Sequence, residues 1–315
     1  MSLPNPESMA CPVCGGELKP LYETAHRGAP WMHRCVGCGF CVTSPMPPGL
    51  EEVYEDTYTA SAEQEQKNRR LAPDYLRKLR PFLPAGKFRF LEVGGSHGWL
   101  AEYVREALGV EVLLLEPGRS AVAVANQRGL AAQAGFIEKF QPEQPYDVVC
   151  AAHVIEHVND IHTFFAACQR ALKPGGVFIL LTPNAAAWKL AKFKRQWGWA
   201  VPDSHTLFLS PESAKKLLEQ HGLEPVEIRG CRPDIAHYPF FLMRWLAERR
   251  ARRARRASSG DPASAGGAAQ PARRGGWKRW LTRPLVWSEY LLLRCFDWFF
   301  GKQRLDELLV VGRKR

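Results

Sequence analysis

The sequence predicts an α/β protein built on a doubly wound, mostly parallel sheet, and three observations predict this fold class. Short apolar runs alternate with amphipathic stretches between residues 87 and 231. Residues 90–98 (FLEVGGSHG) read as a buried strand that passes through an acidic residue into a glycine-rich turn. Two CxxCG pairs precede this region. Together they predict a small metal-binding ribbon followed by an open sheet with a nucleotide-shaped pocket.

The pattern assigns individual elements to this sheet. Continuous apolar runs, which are typical of strands buried on both faces, predict strands at 87–93, 110–115, 146–151 and 177–182. Helical periodicity lies between and around them, at 62–82, 99–108, 120–128, 161–172 and 211–221. Residues 173–176 (KPGG) are expected to end one helix and turn into the next strand. Segments 224–229 and 306–312 are expected to pair as an antiparallel edge, so the domain covers 62–231 and is completed by strand 306–312.

The two cysteine pairs predict a ribbon over residues 9–47. Its candidate metal ligands are Cys11, Cys14, Cys35 and Cys38. Two CxxCG knuckles can supply four thiolates to one tetrahedral Zn²⁺, and four thiolates leave no open position, so we expect a structural zinc. Metal thiolates favour a reducing compartment, and no segment resembles a signal peptide, so we expect a cytoplasmic protein.

The net charge of +11 is concentrated in one tract. Ten Lys or Arg residues and one acidic residue lie between positions 249 and 279, so most of the excess charge belongs to this stretch. Because residues 249–276 have almost nothing to bury, they predict a disordered basic loop. The rest of the chain is nearly neutral, which argues against a protein that coats nucleic acid.

An aromatic segment at 277–300 follows the basic loop and predicts an amphipathic, Trp-rich helix. Its charges fall on one arc of a helical wheel, and Trp280, Trp287, Leu291 and Trp298 gather opposite. It carries too many charges to span a bilayer. One interpretation is that it lies on an anionic membrane surface, at the inner face of the cytoplasmic membrane. The other is that it packs on the protein's own sheet or in a dimer.

The turn at 92–98 does not fit a dinucleotide fingerprint, because Ser96 and Trp99 stand where G-x-G-x-x-G requires glycines. It resembles motif I of the class I S-adenosylmethionine-dependent methyltransferases, with Ser96 replacing the middle glycine. The resemblance implies a Rossmann-like sheet that binds S-adenosylmethionine. It also implies a cofactor site made of Glu92, Gly94, Gly95, Gly98, Glu116 and His153.

These residues have distinct implied roles. Gly94 would let the backbone approach the methionyl part of the cofactor, and Gly95 would preserve backbone freedom beside the substituted Ser96. Gly98 would allow close packing of helix on strand. In the resembled family the acid at Glu92 orients the amino-acid end of the cofactor, and Glu116 would accept hydrogen bonds from the ribose hydroxyls.

The resemblance extends over about residues 10–230 and the final strand. The segments 146–149 with 153–158, 172–176, 182–184 and 205–212 are similar to a subgroup that includes quinone and sugar methyltransferases, whose bacterial members carry the same ribbon. His153-x-x-Glu156-His157 is not H-E-x-x-H, so we expect no catalytic metal there. His153 is expected to line the cofactor pocket at a strand's carboxyl end.

Methyl transfer needs alignment and, for a hydroxyl acceptor, a base. His205 and His157 are the candidate bases, and a purely structural role remains open for each. The leading hypothesis is O-methylation of a sugar, glycolipid or quinone-type small acceptor. The alternatives are an RNA methyltransferase that uses the ribbon and the basic loop, and a non-catalytic zinc-ribbon interaction module. Nucleic acid is the less favoured partner, because the arginines are confined to one loop.

Overall fold

The structure is a computed structural model. It describes residues 10–24, 31–44, 62–201, 205–232 and 301–315, and the single positions 291, 295, 298 and 299. The loop predicted at 249–276 lies outside these residues, and so does most of the helix predicted at 277–300. No helix in the described part of the chain is long and apolar enough to cross a bilayer.

The N-terminal ribbon consists of three antiparallel strands: β1 (Leu18–Glu23), β2 (Trp31–Cys35) and β3 (Cys41–Ser44). One CxxC pair precedes β1, and the other joins β2 to β3. Gly15 and Gly39, which follow the pairs, have φ values of 71° and 70°, a left-handed conformation that glycine adopts without strain. Each knuckle therefore turns back on itself, as the sequence predicts.

Within the described residues the central sheet has seven strands. In chain order these are β4 (Arg89–Val93), β5 (Glu111–Glu116), β6 (Ala132–Ala134), β7 (Tyr146–Ala152) and β8 (Leu172–Pro183), then β10 (Leu223–Cys231) and β11 (Glu307–Lys314). Their spatial order is β10-β11-β8-β7-β4-β5-β6. Strands β4 to β8 are parallel, and β11 is antiparallel to both β8 and β10. The doubly wound sheet and its antiparallel edge are confirmed.

Two details of the sheet differ from the sequence prediction. The edge strand β6 was not predicted, because its three residues, Ala-Gln-Ala, form no apolar run. Strand β8 begins at Leu172 rather than at 177, but its register against β7 jumps from Tyr146↔Leu172 to Val148↔Val177. Residues 173–176 therefore form a bulge that turns into the main part of the strand, with Gly175 at φ 76°.

Helices cover both faces of the sheet. They are α1 (Ala62–Leu79), α2 (Trp99–Leu108), α3 (Arg119–Gln127), α4 (Ile161–Ala171), α5 (Trp188–Phe193) and α6 (Pro211–Gln220). Successive side chains of a strand point to opposite faces. Phe90 accordingly belongs to a core with Leu76 of α1 and Val104 of α2. Its neighbour Leu91 belongs to the other core, with Phe164 of α4.

The ribbon and the central domain share a sheet. A short strand, β9 (Leu207–Phe208), pairs antiparallel with β3, in the register Cys41↔Phe208 and Val42↔Leu207. The residue after β9, Leu209, bridges to Asn184 just beyond β8. The ribbon is therefore hydrogen-bonded through its main chain to a segment that also touches the carboxyl edge of the central sheet.

Candidate active site

The glycine-rich turn between β4 and α2 contains two positions that exclude a side chain. Gly94 and Gly98 have φ values of 66° and 72°. A Cβ on Gly94 would lie 2.7 Å from Cγ2 of Val154, and one on Gly98 would lie 2.4 Å from Cδ2 of Leu130. Both glycines are thus required by conformation and by space.

Glu92 lies directly beneath this turn and is buried. Its Oε2 accepts a hydrogen bond from the Ala101 amide at 2.8 Å. Burial raises the pKa of Glu92 to about 7; the Ala101 amide lowers it and the charge of Glu116 raises it further. A Cβ on Gly95 would lie 2.4 Å from Cδ of Glu92, so Gly95 provides space for the carboxyl group.

Glu116 ends β5 and holds the same turn from the other side. Its two oxygens accept the Ser96 amide at 2.8 Å and the Gly118 amide at 3.0 Å. Burial raises the pKa of Glu116, and the two amides partly offset this effect. Ser96 itself adopts φ 53°, whereas Gly95 is not among the positive-φ glycines. The expectation that Gly95 supplies the conformational freedom is therefore wrong.

The loop after β7 holds a charged cluster that includes His153, which has φ 57°. Its Nδ1 lies 3.3 Å from Oε1 of Glu156, and its Nε2 lies 3.3 Å from Oε1 of Glu307. Its ring stacks on Trp199 with centroids 4.7 Å apart. Although burial would lower the pKa of His153, the two carboxylates raise it to about 9.

Glu156 and Glu307 are fully buried, yet the pKa of each carboxyl group lies below its usual value. Burial alone would raise the pKa of each carboxyl group. For Glu156 the hydrogen bond to His153 and its charge lower the pKa to about 2. For Glu307 the charge of Lys78 and the hydrogen bond to His153 lower the pKa to a similar value. Lys78 Nζ donates to Glu307 at 2.8 Å. Sequence reasoning missed Lys78 and Glu307, because their separation along the chain leaves no local pattern.

His205 has a defined tautomer. Its Nδ1 lies 2.7 Å from the carbonyl oxygen of Trp199, and because a carbonyl only accepts, Nδ1 carries the proton. Burial lowers the pKa of His205 to about 4, since it outweighs the attraction of Glu156. The imidazole is therefore neutral near pH 7, with its lone pair on Nε2. The ring of His157 stands edge-on to it, with centroids 4.7 Å apart.

The two candidate bases also lie next to Glu156. Donor atoms of Glu156, His157 and His205 all lie within 4.8 Å of one another, so this trio could hold a cation. The sequence signal for the trio is weak, because His205 is far along the chain from the other two. The absence of a catalytic metal at this loop therefore stays a prediction.

The predicted site residues therefore fall into two adjoining groups. The cofactor candidates Glu92, Gly94, Gly95, Gly98 and Glu116 surround one turn, while His153 lies with His157 and His205. The contact between Val154 and Gly94 joins the groups, because Val154 belongs to the same loop as His153. This contact puts the turn beside the histidine cluster at the carboxyl edge of the sheet, where ligands bind in open α/β folds.

The four cysteines of the ribbon also converge. The Sγ atoms of Cys11 and Cys38 lie 3.6 Å apart, those of Cys14 and Cys35 lie 3.4 Å apart, and all four lie within 4.8 Å of one another. Thiolates arranged tetrahedrally around Zn²⁺ at about 2.3 Å are about 3.8 Å apart. The cluster thus fits one metal ion.

Known proteins share the central domain. The chain matches a family model described as "Methyltransferase domain" over residues 63–228. A protein of Cereibacter sphaeroides named "Ubiquinone biosynthesis O-methyltransferase" is 29% identical over 175 residues, which cover 51% of this chain and 70% of that protein. A protein of the same name from Dinoroseobacter shibae is 30% identical over 177 residues, with the same coverage.

A solved structure has the same fold. Phosphoethanolamine N-methyltransferase 2 of Haemonchus contortus, in complex with S-adenosyl-L-methionine, aligns with a TM-score of 0.51 and 15% sequence identity. The alignment covers 87% of this chain and 62% of that chain. At this identity the similarity concerns the fold alone. With the family match over more than half of the sequence, the chain belongs to the class I S-adenosylmethionine-dependent methyltransferases and is a methyltransferase enzyme.

Proposed function

We propose that the protein methylates a hydroxyl oxygen on a quinone-type, lipid-linked small acceptor. The observation that carries this proposal is the hydrogen bond of His205 Nδ1 to a main-chain carbonyl oxygen, which leaves the lone pair of the imidazole on Nε2. A hydroxyl must lose its proton near the moment of attack, and such an imidazole can accept it. The names of the relatives support the same acceptor class.

S-adenosylmethionine, when bound, supplies a methyl group that its sulfonium centre has already activated for in-line displacement. Glu92 would attract the cofactor's cationic end, and Glu116 would accept hydrogen bonds from its ribose hydroxyls. Gly94, Gly95 and Gly98 would keep the turn free of side chains that compete for this space. His153 would close the pocket beside Val154, fixed by its two carboxylate partners.

A row of rings on the acceptor side supports a planar acceptor. Tyr75, His153, Trp199, His205 and His157 follow one another with centroid separations of 5.9, 4.7, 6.3 and 4.7 Å. Four of these residues, all except Tyr75, are only partly buried, so each of them retains some exposed surface. Aromatic faces favour flat ring systems by offset stacking. A hydroxylated ring fits such a wall better than a flexible sugar does.

Four described positions near the C-terminus support a membrane-bound acceptor. Leu291, Cys295, Trp298 and Phe299 are helical and exposed, and their spacing puts them on one helical face. Trp298 is 83% exposed and Phe299 is 76% exposed. With the arginines between 249 and 279, this face would suit the anionic inner surface of the cytoplasmic membrane, where a lipid-linked acceptor resides.

The ribbon metal in this proposal is a structural Zn²⁺ held by Cys11, Cys14, Cys35 and Cys38. Replacing Cys14 or Cys35 by Ser should abolish the metal content and destabilise the ribbon, as measured by metal analysis and thermal unfolding. Cys168, a buried residue of α4 that is not part of the four-cysteine cluster, offers a matched control when replaced by Ala. Unchanged metal content in the Cys14→Ser and Cys35→Ser proteins would reject the assignment.

Mass spectrometry of lipid and glycan extracts from cells with and without the protein tests the proposed acceptor. A 14 Da gain on a prenylated aromatic ring is the expected result. A gain confined to sugars, glycolipids or RNA would move the function to that class. In vitro, a polyprenyl catechol should be methylated faster when presented on anionic vesicles than its tail-less analogue is in buffer.

The base is tested separately. His205→Ala should reduce kcat at least tenfold while leaving cofactor affinity unchanged, and His157→Ala should have the smaller effect. Activity lost in EDTA and restored by Mg²⁺, but not by Zn²⁺, would instead assign Glu156, His157 and His205 to a cation. Full activity of both histidine variants would remove them from the mechanism.

A further inference from the structure

The ribbon sheet pairs with β9, the strand that begins two residues after His205. We propose that the four-cysteine ribbon is part of the active site: through β9 it fixes the segment that carries His205, so that loss of the ribbon metal displaces this residue but spares the cofactor turn. The catalytic meaning of this coupling rests on the proposed function. The coupling itself is a property of the fold and can be measured without any acceptor.

Thr206, the residue directly after His205, is held on both sides through its main chain. Its carbonyl oxygen accepts the Thr43 amide of β3 at 2.8 Å, and its own amide donates to the carbonyl oxygen of Glu156 at 2.9 Å. One peptide plane on either side of Thr206 thus connects the ribbon to the charged loop. Any shift of β3 relative to the sheet must move His205, lengthen one of these bonds, or do both.

Two further attachments lie after Thr206. Phe208 is fully buried in one apolar cluster with Met32 and Cys41 of the ribbon. Ser210 Oγ donates to the carbonyl oxygen of Cys38, one of the four converging cysteines. The second cysteine knuckle therefore touches the start of α6 directly. A metal ion that fixes this knuckle also fixes the end of the 205–210 segment.

Among the described residues, no hydrogen bond or ion pair joins the cofactor turn to the ribbon. The groups that contact it include the Leu115 carbonyl oxygen, the Ala101 and Gly118 amides, and the side chains of Glu65, Arg128, Val154, Leu130 and Leu114. All of them belong to the central domain. The two halves of the site should therefore respond differently when the ribbon is disturbed.

Hydrogen–deuterium exchange on the full chain tests this difference. The Zn²⁺-loaded protein is compared with protein whose metal has been removed by a chelator, with metal analysis of both samples. We expect amides of 205–209 to exchange at least tenfold faster without metal, and amides of 90–101 and 114–118 to change less than twofold. Equal acceleration in both regions, or no acceleration at 205–209, would overturn the proposal.

A substitution separates the ribbon from β9 without touching a cysteine. Thr43→Pro removes the amide that donates to Thr206, whereas Thr43→Val keeps this amide and serves as the matched control. Thr43→Pro should retain its metal and bind S-adenosylhomocysteine within twofold of the wild type. Its 205–209 amides should exchange at least tenfold faster than in the wild type. The Thr43→Val protein should exchange these amides at the wild-type rate.

Methyl transfer to the polyprenyl catechol gives a second readout. Thr43→Pro should lower kcat at least tenfold with an unchanged KM for S-adenosylmethionine, and Thr43→Val should not. A general loss of folding would lower cofactor affinity and kcat together, which contradicts the proposal. If the catechol is not a substrate of the wild type, the proposed acceptor fails while the exchange data still decide the coupling.

Discussion

Two pairs of buried carboxylates at the same edge of the sheet behave in opposite ways. Glu92 and Glu116, at the ends of β4 and β5, are held by main-chain amides, and burial raises the pKa of both. Glu156 and Glu307 are even more deeply buried, but neighbouring cationic side chains lower the pKa of both to about 2. Burial is therefore not what distinguishes the pairs.

The difference lies in what compensates the negative charge. Lys78, which also pairs with Asp74, and His153 lie against the second pair, so each of its carboxylates has a cationic partner within the chain. Among the described residues, no cation is named among the groups that shift the pKa of Glu92 or Glu116. A cationic ligand at the first pair would supply the missing charge, which agrees with a sulfonium cofactor bound there. The second pair holds neighbouring segments of the fold together through its ion pairs.

The largest expected effect is on folding stability. Glu307→Gln removes one counterion from both Lys78 and His153, which keep Asp74 and Glu156 as partners, so the free energy of unfolding should fall by about 3 kcal/mol. Glu92→Gln is the matched control in the first pair. Because Glu92 is already about half protonated near pH 7, this change should stay within about 1 kcal/mol without cofactor. Chemical denaturation at pH 7 measures both, and equal losses would contradict the comparison.

The next effect concerns cofactor affinity. Glu116→Ala should weaken binding of S-adenosylmethionine by about 1.5–3 kcal/mol, the contribution of a hydrogen bond to a charged group. Glu111→Ala, at the other end of the same strand, is exposed and should bind with wild-type affinity. Calorimetry compares the three proteins. Wild-type affinity in Glu116→Ala would remove this residue from the cofactor site.

A pH titration sharpens the role of Glu92. Its pKa in the folded protein is raised from 4.5 to about 7, so the stability it contributes is present below pH 4.5 and lost as pH rises through 7. A cationic ligand favours the ionised carboxylate, and cofactor affinity should therefore increase about thirtyfold from pH 5.5 to pH 8. Glu92→Gln should flatten this dependence in calorimetric titrations. A wild-type affinity that is independent of pH would refute the assignment.

The smallest expected effect is at the turn itself. Ser96 adopts a left-handed conformation that costs a non-glycine residue about 1–2 kcal/mol. Ser96→Gly should therefore stabilise the protein by up to about 1 kcal/mol, after the loss of the contact between Ser96 Oγ and His97. Gly109 has φ 64° with open space around it, so Gly109→Ser should lose about the same amount. A destabilised Ser96→Gly protein would indicate that the hydroxyl group matters more than the backbone.

Much of the fold could be predicted because its signals are local. The strands β4, β5 and β7 are short apolar runs. The seven residues from Glu92 to Gly98 are enough to predict a glycine-rich turn at the carboxyl edge of the sheet. What Gly95 does could not be predicted. Its role depends on the side chain of Glu92 folding back beneath it, and this contact forms only when the turn closes against α2.

Contacts between distant segments were not predictable from one sequence. Strand β9 is two residues long, and its pairing with β3 has no periodic pattern of its own. Lys78 reads as an ordinary basic residue near the end of an amphipathic helix, and Glu307 as an acidic residue at a strand end. Only tertiary structure brings them to 2.8 Å and places His153 beside them.

The pairing of Lys78 with Glu307 joins residues that are 229 positions apart in the chain. A ribosome adds roughly 5–20 residues per second, so the lysine emerges many seconds before its carboxylate. Until β11 is made, Lys78 and His153 lack the Glu307 carboxylate, and β8 has an open edge. Contacts of such long range slow folding and leave strand edges available for wrong pairing. Newly made chains should therefore depend on chaperones until the carboxylate of Glu307 arrives.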